Sequence, residues 1–159
     1  MAKEKLTVTP AIHQLRDCGV TFETYEYKYE EKGGTRQSAD EINVDEHCVI
    51  KTLIFNADHD LICVLMHGDN EVSTKELARI INVKKIEPSD EKSSFNTTGY
   101  QFGGTSPFGH RRKIPVYAES SIFDLSDIYI NGGKRGYLVR ITPADLDKVL
   151  NPIKVNVAI

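Results

Sequence analysis

Long apolar runs are missing from this 159-residue sequence. No stretch approaches the roughly 20 apolar residues that a membrane-spanning helix requires. The polar first residues, 1–5, also lack the apolar centre of a secretory signal peptide. We therefore expect a soluble, cytoplasmic protein that does not act in a membrane.

Cysteine is scarce, and the net charge is small. The three cysteines, Cys18, Cys48 and Cys63, form no Cys-x-x-Cys pair, so the sequence indicates neither a disulfide framework nor a zinc knuckle. The formal net charge of −3 argues against a surface that coats nucleic acid or membranes non-specifically. It leaves room for local basic segments.

Several common catalytic signatures are missing as well. The five histidines show no His-x-x-x-His spacing, and there is no Gly-x-Ser-x-Gly nucleophile motif. No glycine segment has the spacing of a Walker loop or of a dinucleotide-binding fingerprint. We accordingly expect no metal and no cofactor, and a serine-nucleophile hydrolase is a poor hypothesis.

The remaining pattern predicts one α/β or α+β domain spanning residues 1–159, because the length and the 40% hydrophobic content suit a single core. Capping residues predict short helices that begin at Thr9, Ser38, Ser73 and Thr142. The third should bury Leu77, Ile80 and Ile81. Apolar periodicity predicts strands at residues 20–27, 49–55, 61–66, 114–118, 127–130, 136–141 and 153–157. The polar residues 93–99 are predicted to be a loop, and the mixed sheet to be curved.

Lys51 is the unusual residue in these strands, a cation inside the apolar run of residues 49–55. Burying an ammonium is costly, so such a lysine points into a polar cavity, finds a partner or loses its proton. The alternative is a lysine that lies on an edge strand or extends to solvent. Position alone favours this second interpretation.

A glycine-rich segment at residues 103–109 is the first candidate binding element. Its first four residues can bring several backbone amides close to one ligand oxygen; they are Gly103, Gly104, Thr105 and Ser106. Successive amides in a turn commonly build an oxyanion hole. A tight connection between strands, with no ligand, is an equal alternative.

A second glycine segment, residues 132–136, lies between two predicted strands and is typical of a hairpin turn. The basic residues of this segment and those that follow the first glycine segment could lie on either side of one cleft entrance and bind a polyanion there. These residues are Arg111, Arg112, Lys113, Lys134 and Arg135. A solvated surface patch is the competing explanation.

Four segments, in this order and spacing, resemble the YbaK/EbsC family of aminoacyl-tRNA deacylases. They are VIKTL at residues 49–53, TGYQFGGTSPFG at 98–109, KIP at 113–115 and GGKRG at 132–136. Members are free-standing relatives of the editing domain inserted in bacterial prolyl-tRNA synthetases. The glycine-rich segments are more similar to the Cys-tRNA(Pro) deacylase branch than to the alanine-specific one.

This resemblance implies the editing-domain fold and an enzyme that clears cysteine from mischarged tRNA(Pro), acting beside prolyl-tRNA synthetase. In that branch the thiol of the substrate attacks its own ester and cyclises, which would make the enzyme a lyase and not a hydrolase. Two alternatives stay open. One is deacylation of Ala-tRNA(Pro) or of another small mischarged residue, and the other is a non-catalytic module that binds tRNA or the synthetase.

The resemblance also implies roles for individual residues. The essential lysine of the family falls on Lys51, and its ester-binding and adenosine-binding backbone falls on residues 103–106. Tyr27 matches an aromatic residue of the pocket. Asn131 precedes Gly132 and Gly133, where the family often has a smaller serine. Because of that difference, the sequence does not fix the pocket volume or the amino-acid preference. It does not fix the protonation state of Lys51 either.

Overall fold

The computed structural model describes residues 7–159. Its helices are α1 (Pro10–Asp17), α2 (Gly34–Ile42), α3 (Thr74–Ile81), α4 (Glu91–Thr98) and α5 (Pro143–Leu150), with 3₁₀ turns at Glu46–Cys48 and Ser120–Asp124. Its strands are β1 (Glu23–Glu26), β2 (Val49–Ala57), β3 (Asp60–His67), β4 (Ile86–Pro88), β5 (Val116–Glu119), β6 (Ile128–Asn131), β7 (Tyr137–Ile141) and β8 (Ile153–Val155).

All eight strands belong to one mixed sheet, which confirms the predicted fold class. The order is β1-β7-β6-β2-β3-β5-β8, and β4 pairs with β2 outside this path. Antiparallel hairpins join β2 to β3 and β6 to β7, whereas β2–β6, β3–β5 and β5–β8 are parallel. Strand β8 forms one edge of the sheet, as predicted for the C-terminal segment.

The two faces of the sheet bury separate apolar clusters. One cluster packs α1 against the sheet and takes Ile50 and Ile54 from β2. The other includes Phe55, with Leu53 packed against it. Because side chains alternate along a strand, Lys51 lies on the same face as Leu53 and Phe55.

Three of the predicted helix starts are confirmed by their caps. The Thr9, Ser73 and Thr142 side chains accept hydrogen bonds from the backbone N–H groups of Ile12, Glu76 and Asp145, respectively. Such a bond satisfies one of the N–H groups that a helix leaves unpaired at its start, so local sequence is enough to place these helices.

Several other predictions are wrong in detail. Helix α2 begins at Gly34, and Ser38 lies inside it with its hydroxyl bonded to the Gly34 carbonyl. In α3, Leu77 and Ala78 are buried but Ile80 is 40% exposed. Strand β1 covers only Glu23–Glu26 of the predicted residues 20–27.

The predicted loop at residues 93–99 is also wrong, because this segment forms most of α4. The Asp90 carboxylate caps the helix by accepting from the Ser93 N–H, and Gly99 ends it with a φ of 84°. No helix among residues 7–159 is long and apolar enough to cross a membrane.

Candidate functional site

The first glycine segment forms a tight turn that leads into a buried stretch of backbone. The Gly104 N–H donates to the Gln101 carbonyl, and Gly103 has a φ of 85°. A positive φ at the third residue is what a type II turn requires, and glycine adopts it without strain. Gly104, Thr105 and Ser106 are buried.

Three amides of this loop are unused by the fold. The N–H groups of Gly103, Thr105 and Ser106 donate to no acceptor among residues 7–159. Thr105 Oγ1 donates to the Gln101 carbonyl, and Ser106 Oγ accepts from the Phe108 N–H. The backbone amides are therefore the main groups that the loop can offer to a ligand, and Gly103, at the exposed end, carries the most accessible of them.

The second glycine segment holds the first one in place. Asn131 Nδ2 donates to the carbonyls of Gly103 and Lys134, at 3.3 and 3.1 Å, while its Oδ1 accepts from the Gly133 and Lys134 N–H groups. A Cβ on Gly104 would lie 2.7 Å from the Arg135 backbone nitrogen. The two segments thus pack backbone against backbone, which explains why both are rich in glycine.

Lys51 lies in the interior of the sheet. Strand β2 lies between β6 and β3 and is not an edge strand, so the edge-strand interpretation is wrong for the strand, although its ladder with β6 ends at Ile50. Its ammonium lies 3.5 Å from Glu71 Oε1, and its side chain is 18% exposed whereas that of Glu71 is 80% exposed. Lys51 is therefore a half-buried cation with one solvated partner, not a lysine that extends freely into water.

The strand register connects Lys51 with the glycine segments. Val49 pairs with Tyr129 and Ile50 with Ile130 in parallel strands β2 and β6. Continued by one residue, this register brings Lys51 level with Asn131 on the same face of the sheet. Asn131 is the residue that bonds Gly103, so Lys51 lies one strand away from the residue that holds the glycine loop.

Tyr27 joins this group from the other side of the hairpin. Its N–H donates to the Gly136 carbonyl at 2.9 Å, and its hydroxyl lies 2.8 Å from Ser38 Oγ on α2. Gly132 is buried at the end of β6, and Gly133 is half-buried with a φ of 100°. The predicted pocket residues are thus spread over the residue that follows β1, strand β2, the β6–β7 hairpin and the glycine loop.

The predicted basic residues fall into two separate groups. Arg111 stacks on Phe95, and the Arg112 N–H donates to the Thr97 carbonyl, so both pack against α4. Lys134 lies 4.0 Å from Glu26, and Arg135 Nε donates to the Phe102 carbonyl at 2.8 Å. Only the second group contacts the glycine loop directly.

A cleft of about 600 Å³ lies away from Lys51, between α1, α5 and the segment before β5. Lys113 and His110 line it, and His110 Nε2 donates to the Ser106 carbonyl. Burial lowers the pKa of His110, so its imidazole is neutral near pH 7. This cleft is the outer side of the glycine loop and does not contain the candidate catalytic lysine.

Sequence reasoning missed two residues next to Lys51. Glu71, its ion-pair partner, follows β3 and is held by backbone bonds with Ile159 in both directions. Thr52 Oγ1 is buried with no hydrogen-bond partner among residues 7–159. Neither residue carries a local motif; only the Lys-Thr order within VIKTL could have drawn attention to Thr52.

Comparisons with known proteins identify the family. The family model described as aminoacyl-tRNA editing domain matches residues 30–149. An Enterococcus faecalis protein named "Putative Cys-tRNA(Pro)/Cys-tRNA(Cys) deacylase EbsC" is 29% identical over 155 residues, which are 95% of this chain and 94% of that protein. Proline–tRNA ligase of Streptococcus equi subsp. zooepidemicus is 30% identical over 96 residues, or 60% of this chain and 16% of the ligase.

The fold has counterparts among solved structures. A crystal structure of "a putative trans-editing enzyme for prolyl tRNA synthetase" matches with a TM-score of 0.84 at 18% identity, covering 96% of this chain and 99% of the other. At that identity the match supports the fold alone. The sequence matches supply the family.

Proposed function

Since the chain belongs to the aminoacyl-tRNA editing domain family, whose members act on mischarged tRNA, we propose that it removes cysteine from Cys-tRNA(Pro). The printed name of the Enterococcus faecalis relative supports this substrate, and that relative is matched along nearly its whole length. The observation that carries the proposal is the glycine loop, which offers three unused amides beside the strand that presents Lys51.

The loop amides suit ester cleavage. An aminoacyl ester is already activated, so the enzyme mainly has to position it and to stabilise the negative charge that develops on the carbonyl oxygen. One well-placed donor of this kind contributes about 3 kcal/mol to the transition state. Thr105 and Ser106 carry such donors in a buried stretch of backbone, where hydrogen bonds to an oxyanion are strengthened by the exclusion of water.

Lys51 is the proposed catalytic side chain. Its ammonium is half-buried, and its single ion-pair partner in the described structure, Glu71, is largely solvated. A ligand phosphate or ribose oxygen can therefore approach the cation without displacing a buried ion pair. We assign Lys51 the task of holding the 3′-terminal ribose and phosphate while the loop holds the carbonyl.

For a cysteine substrate the nucleophile is the substrate thiol. Its sulfur bonds to the carbonyl carbon, the bond from that carbon to the ribose oxygen breaks, and the thiol proton ends on the ribose hydroxyl. The product is a four-membered thiolactone, and a reaction of this kind is a lyase reaction. With an alanine substrate, water would have to attack, and the same site would act as a hydrolase.

The deciding experiment compares deacylation of Cys-tRNA(Pro), Ala-tRNA(Pro) and tRNA(Pro) charged with 2-aminobutyrate, which has a methyl group in place of the thiol. We expect rapid loss of cysteine only. Equal loss of 2-aminobutyrate would exclude thiol assistance, and preferential loss of alanine would favour the second candidate.

Lys51→Ala should lower kcat/KM by about 100-fold or more, the effect typical of losing one group that stabilises the transition state. Lys85→Ala is the matched control, because Lys85 also pairs with a glutamate, Glu87, at 3.2 Å, but is largely exposed. Repeating the assay with added prolyl-tRNA synthetase tests the proposed partnership. A non-catalytic tRNA-binding module would instead bind tRNA equally with and without Lys51 and would cleave none of the three esters.

A further inference from the structure

An arginine stacked on a tyrosine lies at the rim of the glycine loop. The guanidinium carbon of Arg135 is 5.1 Å from the ring centre of Tyr29. Arg135 Nε also donates to the Phe102 carbonyl, so the guanidinium is bonded to the loop as well as stacked on the ring. Two contacts of different kinds therefore restrict the plane of this side chain.

The tyrosine is itself fitted against the loop. A Cβ on Gly103 would lie 2.5 Å from the Tyr29 hydroxyl oxygen, so only a glycine allows this approach. Phe102, the residue before Gly103, is an exposed aromatic side chain at 38% relative exposure. The rim thus carries an exposed aromatic ring, an exposed guanidinium and the exposed ammonium of Lys134.

A single exposed aromatic ring is ordinary at a protein surface. Here, however, the ring adjoins a stacked guanidinium and an exposed ammonium at the rim of the glycine loop. Unpaired nucleobases stack on aromatic rings and on guanidinium planes, while lysine and arginine neutralise the adjoining phosphates. Lys134 retains this capacity because its contact with Glu26 is a loose one, at 4.0 Å between exposed groups.

We infer that Phe102 and the Tyr29–Arg135 pair form a stacking platform for an unpaired base of the tRNA acceptor strand, next to the terminal adenosine. The inference rests on the proposed function, since the glycine loop beside the platform would hold the aminoacyl end. It adds base contacts that would fix the direction from which the single strand enters the site.

The chain supplies matched controls. Phe95 is exposed to a similar extent, 41%, and also stacks with an arginine, but it lies on α4. Arg140 is an arginine that pairs with Glu23 at 2.8 Å, at the end of the β1–β7 ladder opposite to Arg135. Phe95→Leu and Arg140→Lys therefore make the same chemical changes as Phe102→Leu and Arg135→Lys outside the platform.

The test measures binding of two RNA hairpins, one with a four-nucleotide 3′ overhang ending in CCA and one blunt. We expect the wild type to prefer the overhang, and Phe102→Leu and Arg135→Lys to weaken that binding about tenfold while leaving blunt-hairpin binding unchanged. The slope of affinity against salt should not change in Arg135→Lys, because the charge is kept. Replacing the overhang base before the terminal adenosine with an abasic site should weaken binding by the wild type by the same factor as the platform substitutions do.

Three results would overturn the platform: no overhang preference in the wild type, unchanged preference in both platform variants, or an equal loss in Phe95→Leu. Thermal unfolding of each variant identifies any misfolded protein, and the leucine at position 102 keeps most of the apolar volume. Deacylation by the wild type is scored separately. If the wild type deacylates its substrate but the platform variants bind the overhang hairpin as the wild type does, only the platform is refuted. If the wild type does not deacylate, the proposed function is refuted.

Discussion

Gly104→Ala tests whether close packing of the two glycine segments positions the backbone that is proposed to bind the ester. The new Cβ would lie 2.7 Å from the Arg135 nitrogen and 3.0 Å from the Lys134 carbonyl carbon, both of them backbone atoms. An ordinary contact begins at 3.4 Å, so the segments must separate by about 0.7 Å. Gly104 does not have a positive φ, so the alanine introduces a clash but no backbone strain.

A shift of this size should be expensive for catalysis and moderate for stability. Displacements near 1 Å cost about 100-fold in well-oriented reactions, so we expect kcat/KM for Cys-tRNA(Pro) to fall roughly 10- to 100-fold. Overpacking should lower the free energy of unfolding by about 1–3 kcal/mol. Single-turnover deacylation and urea denaturation measure the two effects separately.

Gly34→Ala controls for lost stability. Gly34 has a φ of 62°, so alanine there is strained by about 1 kcal/mol, but no atom lies within 4 Å of the new Cβ. This variant should lose stability and keep its deacylation rate. If Gly104→Ala deacylates as fast as Gly34→Ala, the contact between the segments does not position the site, and the account of the loop given above is wrong.

Three further predictions concern titration, thiol reactivity and the lysine partner. Burial lowers the pKa of His110, so the free energy of unfolding should be constant above about pH 6.5 and should fall as the pH drops below it. Urea denaturation should show a smaller fall in His110→Gln than in the wild type. An equal fall in the two proteins would contradict this prediction. Burial raises the pKa of Cys63 to about 12, so iodoacetamide at pH 8 should modify Cys63 only in denaturant, as peptide mass spectrometry can check. Glu71→Gln should slow deacylation a few-fold, because Lys51 loses the partner that orients it, and should change the free energy of unfolding by less than about 1 kcal/mol. An unchanged rate would show that Glu71 does not orient the lysine.

Elements governed by local chemistry could be predicted from the sequence. The caps at Thr9, Ser73 and Thr142 act within three residues, and the glycine hairpin between β6 and β7 follows from its own composition. Helix α4 could not be predicted in this way, because serine, threonine and asparagine are weak helix formers. It forms because Asp90 caps its start, Gly99 ends it, and its buried face, which includes Thr97 and Thr98, packs against the rest of the fold. Thr98 Oγ1, buried on this face, is satisfied by donating to the Ser94 carbonyl.

The environment of Lys51 depends on pairings distant in sequence. Whether β2 is an edge or an interior strand is decided by β6, which begins at Ile128. The partner of Lys51, Glu71, lies 20 residues further along the chain and is positioned by the C-terminal residue Ile159. The motif around Lys51 was therefore enough to make the residue a candidate but not to show its surroundings.

Asn131 has two effects that a specificity experiment must separate. If the proposed pocket lies here, its side chain would fill more of it than the serine that the resemblance implies for the family, but its amide also makes four hydrogen bonds that hold residues 103, 133 and 134. Asn131→Ser would enlarge the pocket and also release the Gly103 carbonyl, since a serine hydroxyl is too short to replace Nδ2. Asn131→Asp keeps the size and the Oδ1 atom that accepts two bonds, but it removes the Nδ2 donor and turns a carboxylate oxygen toward two carbonyls, at a cost of at least about 1 kcal/mol per bond lost. If amino-acid preference changes in the serine variant alone, volume sets it; if the aspartate variant changes equally, the position of the loop does.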